Sequence, residues 1–90
     1  MLDELNKRAQ SYIQTNQLQQ ARQLLMEIIS NYPDNAAALN DLAVVEIMEG
    51  KLESGLELLN EVMILDPKNE IVPGNIQYVK EKLSENNFKN

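Results

Sequence analysis

Three glutamates are the residues best spaced for chemistry. Glu53, Glu57 and Glu61 recur at i, i+4 and i+8, which aligns their carboxylates along one face of a helix. Such a strip offers oxygens to a calcium ion or a landing surface to a basic partner. The opposing reading is a solvated outer face, and it is the stronger one, because nothing nearby completes a six-oxygen cage. The chain has no histidine and no cysteine. Ser11, Ser30, Ser54 and Ser84 therefore lack the usual base partner for nucleophilic attack, and thiolate, disulfide and redox chemistry are excluded. Gly50, Gly55 and Gly74 stand singly, each explained by a turn or a close approach, and form no phosphate-binding loop. No catalytic residue, no metal ligand and no cofactor is expected, and the chain does not read as an enzyme.

Charge narrows the partners. The net charge is −6 over 90 residues, and it is unevenly placed. Residues 1–33 carry three acids and three bases, 34–70 carry nine acids against Lys51 and Lys68, and 71–90 carry two acids against three lysines. Nucleic acid and anionic membrane both require a basic face, so neither is expected. The acidic middle is weakly compatible with a basic partner, but a solvated acidic face that keeps the chain soluble is the stronger reading. The N-terminus "MLDELNKRAQ" has no apolar signal region, and no run approaches the roughly 18 apolar residues of a membrane span. A soluble, cytoplasmic chain is expected.

The elements that would position these residues repeat. The turn "NYPDNA", Asn31 to Ala36, recurs 34 residues later as "LDPKNE", Leu65 to Glu70. At the same offset Leu5 meets Leu39, Ala9 meets Ala43, Ile13 meets Ile47, Leu25 meets Leu59 and Ile28 meets Val62. Ala21 meets Gly55, small against small, and Asn16 meets Gly50, the two residue types that most readily end a helix in the left-handed conformation. Within each unit the apolar residues fall at helical spacing in two stripes. Each unit is thus a pair of antiparallel helices, with the proline stopping the second and Asp34/Asn35 or Asn69 capping the next. A fifth helix carries Ile76, Val79 and Leu83 on one face and starts between about 70 and 74, with Pro73 tolerated in its first turn. The expected organisation is one domain, 1–90: repeat 1 over about 2–35, repeat 2 over about 36–69, a capping helix over about 70–86, and a frayed tail over 87–90. Aromatics are scarce, so leucine, isoleucine, valine, alanine and methionine must fill the core.

A 34-residue helical hairpin with small residues at its packing points and a terminal proline resembles the tetratricopeptide repeat (TPR). The matching residues are Ala9, Tyr12, Ala21, Leu25, Ile28 and Pro33, then Leu39, Leu42, Ala43, Gly50, Gly55, Leu59, Val62 and Pro67. The likeness covers residues 2–69, with the fifth helix similar to the solvating helix that closes such arrays. There are departures: no tryptophan marks either repeat, Arg8 stands where a leucine is usual, and Glu46 where a tyrosine is usual. Pro73 and Gln77 occupy places that a third full repeat would fill with a large apolar and a small residue. The resemblance implies an all-α fold, a right-handed antiparallel array of helical hairpins (an α–α superhelix) with five helices. It also implies a non-catalytic protein-interaction module, whose first helices line a concave groove.

Carried over position by position, that groove shows Asp3, Asn6, Lys7, Gln10, Ile13 and Gln14 from the first helix. The third helix adds Ala37, Asn40, Asp41, Val44, Ile47 and Met48, and the fifth adds Asn75, Tyr78 and Lys82. Val44, Ile47, Met48 and Tyr78 form an apolar patch, and Asn6, Gln10 and Asn40 an amide rim. That combination suits a peptide or partner helix, with apolar anchors and amides that pin backbone groups. Two readings of the patch stand: it is exposed, or Ile47 packs on a neighbouring helix and Val44 lies half under the fifth. An exposed patch also invites self-association into a homodimer or larger homo-oligomer. Relatives of this family that grip the C-terminal carboxylate of chaperones carry a basic clamp. Here Asn6, Gln10, Asp41, Ile71 and Asn75 hold those places, so no such partner is expected. The wording of residues 38–70 also resembles TPR segments attached to bacterial glycosyltransferases and methyltransferases. That likeness implies a second reading, an oligomerising or scaffolding segment of a larger enzyme, its groove filled by itself or its parent chain.

Overall fold

The computed structural model describes residues 1–89, of which 87–89 are described by their backbone. Five helices follow one another: α1 (Leu2–Gln14), α2 (Leu18–Asn31), α3 (Ala36–Met48), α4 (Leu52–Leu65) and α5 (Val72–Lys89). There is no strand among the described residues, and no helix is long and apolar enough to cross a membrane. Every consecutive pair of helices packs together, as short connections between antiparallel neighbours require, and α1 also packs on α3. The α1, α3 and α5 helices thus form one layer, with α2 and α4 behind them. The radius of gyration, 13.2 Å, exceeds the ~12 Å of a compact chain of this length, and the extents are 44 × 29 × 19 Å. The molecule is a short, elongated stack.

The connections are as periodic as the sequence. At the end of α1 the Gln17 N–H donates to the Tyr12 carbonyl at 2.7 Å and the Asn16 N–H to the Ile13 carbonyl at 3.0 Å. At the end of α3 the Lys51 N–H donates to Glu46 at 2.8 Å and the Gly50 N–H to Ile47 at 3.0 Å. Both are Schellman closures, and each needs a left-handed residue after the last helical turn. Asn16 supplies it at φ 59° and Gly50 at φ 81°. The inter-repeat turn is likewise used twice. Asn35 and Asn69 each accept, through Oδ1, from the backbone N–H three residues on, that of Ala38 and of Val72, both at 2.8 Å. Asn35 is the cap of α3, whereas Asp34 caps nothing.

The core forms two clusters. Ala9, Ala21, Leu25, Ile28, Ala38, Leu42 and Val45 close the first hairpin against α3. Leu39, Ala43, Leu59, Val62, Val72 and Val79 close the second hairpin against α5. The α3 helix contributes to both, so it is apolar nearly all round, and Ile29 and Leu58 touch both clusters. The family-usual leucine absent at position 8 is explained here. Arg8 is exposed, whereas its counterpart Leu42 is buried between hairpins. One boundary differs from expectation. The end expected at about 86 is overrun, with α5 continuing through Lys89, because no glycine or proline interrupts "ENNFK" and each added residue extends the ladder by one hydrogen bond. Asn90, the last residue of the expected frayed tail, lies outside the described residues.

Candidate functional site

The layer of first helices holds two seams, one between α1 and α3 and one between α3 and α5. The second seam carries a concavity of about 300 Å³ lined by Val44, Ile47, Met48, Asn75 and Tyr78. All four residues of the expected apolar patch meet there. Their exposure is uneven. Met48 and Tyr78 are 48% and 51% exposed, while Val44 and Ile47 are half-buried. Ile47 belongs partly to the core, packing on the second cluster, because Gly55 of α4 has no side chain to hold it off. A Cβ built on Gly55 would lie 2.7 Å from Ile47 Cγ1. The Lys82 ammonium stands 5.6 Å from the centroid of the Tyr78 ring, within cation–π range.

The first seam is polar. Asn6, Gln10, Ile13 and Gln14 are at 34-residue offset from Asn40, Val44, Ile47 and Met48. Ile13 packs on the first core cluster, so it belongs to the floor of the groove more than to its opening. The two asparagines differ from the solvated amides expected of a rim: Asn6 and Asn40 are half-buried, and the Oδ1 of each is shut off from solvent without a hydrogen-bond partner. Asp41 is the most unusual group of this face. It is 8% exposed, and its Oδ2 is likewise buried and unpartnered. Burial pushes its carboxyl up to about 6, with the Gln10 amide beside it pulling the other way. Sequence reasoning placed Asp41 in the groove but not its burial; an acid between Asn40 and Leu42 has no feature in the pattern that marks it as enclosed.

A second feature escaped it altogether. Arg22 of α2 donates to the carboxylates of both Glu46 and Glu49 at the end of α3, tying the first hairpin to the second. The Glu46 hydrogen bond raises the guanidinium's basicity, burial opposes it, and Glu49 adds to the rise. The signal was present: a glutamate at a family-usual tyrosine position, 6% exposed, must have a cation nearby, and Arg22 faces it from the preceding helix. Elsewhere, Glu53, Glu57 and Glu61 are exposed on α4, and Ile64 and Ile71 are 78% and 73% exposed near the second inter-repeat turn.

The first seam holds buried hydrogen-bond acceptors, and the second can enclose an apolar side chain. Residues 12–72 match the family model described as "Tetratricopeptide repeat". No curated protein matches the chain significantly.

Proposed function

The chain belongs to the tetratricopeptide repeat family, whose repeats generally mediate protein–protein interaction, and from that premise we propose that it binds an extended peptide or partner segment along α1, α3 and α5. The carrying observation is the concavity at Val44, Ile47, Met48, Asn75 and Tyr78, which leaves two large apolar side chains about half exposed on the face of the first helices. Val44, Ile47, Met48 and Tyr78 anchor apolar side chains of the partner, and Asn6, Gln10, Ile13 and Asn40 line the adjoining stretch, with the amides pinning its backbone. The chain works without catalysis of its own and takes proteins rather than nucleic acid, membrane or a chaperone's C-terminal carboxylate. The test is selection from a displayed random-peptide library on the purified chain, repeated with Tyr78→Ala and Val44→Glu. Enrichment of peptides with large apolar residues, lost with both variants, supports the reading. Peptides that bind both variants as well as the parent place the site elsewhere.

The exposed pair Met48 and Tyr78 also supports a second reading, in which another copy of the chain fills the groove and the protein serves as an assembly segment of a larger one. Light scattering across a wide concentration range separates the two. A dimer that reverts to monomer on Met48→Glu favours self-association; a monomer at all concentrations favours a foreign partner.

A further inference from the structure

Buried polar atoms in a native fold are nearly all paired, and a buried acceptor with nothing to accept is destabilising. Three such atoms occur among the described residues, the Oδ1 atoms of Asn6 and Asn40 and the Oδ2 of Asp41. All three belong to α1 and α3, on the layer proposed above to bind a partner, and all three are acceptors. No cation of the chain meets Asp41: among the described residues it forms no salt bridge. Arg22 is committed to Glu46 and Glu49, and Lys7 and Arg8, the cations of α1, are both exposed.

The two seams occupy equivalent places in successive repeats, so their differences are differences of chemistry at one position. Gln10 of the first seam corresponds to Val44 of the second, and Asp41 corresponds to Asn75. One seam therefore holds a carboxylate beside an amide, and the other a concavity walled by aliphatic and aromatic groups.

We propose that this face reads a partner protein segment carrying a lysine or arginine and, two or three residues away, a large apolar residue. The cation enters the α1–α3 seam against Asp41, and the apolar side chain enters the α3–α5 concavity. This deepens the groove-binding reading and rests on it. An ammonium or guanidinium brings three to five donors and no acceptor, which complements the unpartnered Oδ1 of Asn6 and Oδ2 of Asp41. The net charge of −6 attracts such a segment before contact. The spacing follows from geometry. Packed helices lie roughly 8–10 Å apart and an extended chain advances about 3.3 Å per residue, so neighbouring seams fall two to three residues apart along a bound strand.

The test is the affinity of the purified chain for short capped peptides by fluorescence anisotropy. One set holds Lys and Leu two and three residues apart, in both orders, in a neutral background; the others replace Lys by Gln, or Leu by Ser. The expected result is that one Lys–Leu peptide binds at least about tenfold more tightly than its Gln and Ser counterparts. Asp41→Asn abolishes the preference for Lys over Gln but keeps the preference for Leu over Ser, and added salt weakens only the parent's Lys preference. Asp41→Asn removes a buried charge and should fold, which circular dichroism verifies. Equal binding of Lys and Gln peptides, or a Lys preference that survives Asp41→Asn, overturns the inference while leaving the groove reading intact. If no peptide of the sets binds, the inference is overturned as well, and the library selection decides the groove reading separately. A dimer that reverts on Met48→Glu also overturns it, because the groove would then hold a second copy.

Discussion

A single buried carboxylate on the face of the first helices has consequences that are legible in stability. Asp41 has its carboxyl raised from 3.8 to about 6 by burial. The groups that face it are neutral or committed elsewhere: Gln10 from α1, with Asp3 and Lys7 exposed on the same helix, and Arg22 of α2 held by two glutamates. An acid with a raised folded-state pKa favours the fold below its unfolded value and loses that contribution as pH rises through the folded value. Asp41→Asn should therefore match the parent's stability near pH 4, then exceed it increasingly up to about pH 6 and by a constant amount above. At pH 7 the gain should be about 3 kcal/mol, the linkage equivalent of a carboxyl raised from 3.8 to about 6. Urea unfolding of both chains from pH 4 to 8 measures it; a difference independent of pH would remove burial as the cause.

Arg22 works in the opposite sense. Arg22→Ala leaves Glu46 buried and unpaired, and should destabilise by about 2–3 kcal/mol, somewhat less than for a wholly enclosed pair because Arg22 is partly open to solvent. Replacing both ends with apolar groups, Arg22→Met with Glu46→Leu, should recover most of that loss, since the desolvation penalty disappears with the charges. If the double variant unfolds as easily as the single one, the bridge contributes geometry that packing does not replace.

Elements were the most readable level. Helix order, both Schellman closures, both asparagine caps and the division into hairpins follow from periodicity and from residue types whose backbone preferences are strong. The faces were less readable, because they depend on how neighbouring helices approach. Gly55 illustrates the limit. Its counterpart Ala21 is fully buried with a Cβ, so the pattern shows only "small", yet the space at Gly55 is taken by Ile47 and by the Ala43 carbonyl at 3.3 Å. Gly55→Ala gains about 1 kcal/mol of helix propensity and meets overpacking of about 1–3 kcal/mol, so it should destabilise by up to about 2 kcal/mol. Gly74 is helical, with nothing within 4 Å of a built Cβ. Gly74→Ala should accordingly stabilise by about 0.5–1 kcal/mol. Thermal melts of the two variants, moving in opposite directions, check both; a stabilising Gly55→Ala would mean that Ile47 can retreat into the concavity beside Met48.

At the scale of the molecule, two core clusters share one helix, α3, that contributes buried residues to both. Val79 is fully buried in the second cluster, and Val45, on α3, is fully buried in the first. In a stacked array each unit leans only on its neighbours, so α5 packs mainly on α4 and has no helix beyond it among the described residues, whereas α3 is held from both sides. A chain of this length has a total stability of roughly 5–13 kcal/mol, and a Val→Ala cavity removes about 1.5–3 of it. The two valine truncations should have similar costs in urea but different footprints in amide hydrogen exchange. Val79→Ala should accelerate exchange in α5 and α4 far more than in α1 and α2, because the end of the stack opens without the rest. Val45→Ala should accelerate exchange in all five helices, because it loosens α3, the helix that contributes buried residues to both clusters. That asymmetry bears on binding: a partner lying across α1, α3 and α5 would tie the weakly held end to the rest, and its strongest protection should then appear in α5. Uniform acceleration by both substitutions would show instead that the two clusters unfold as one unit and that α5 is no looser than α1.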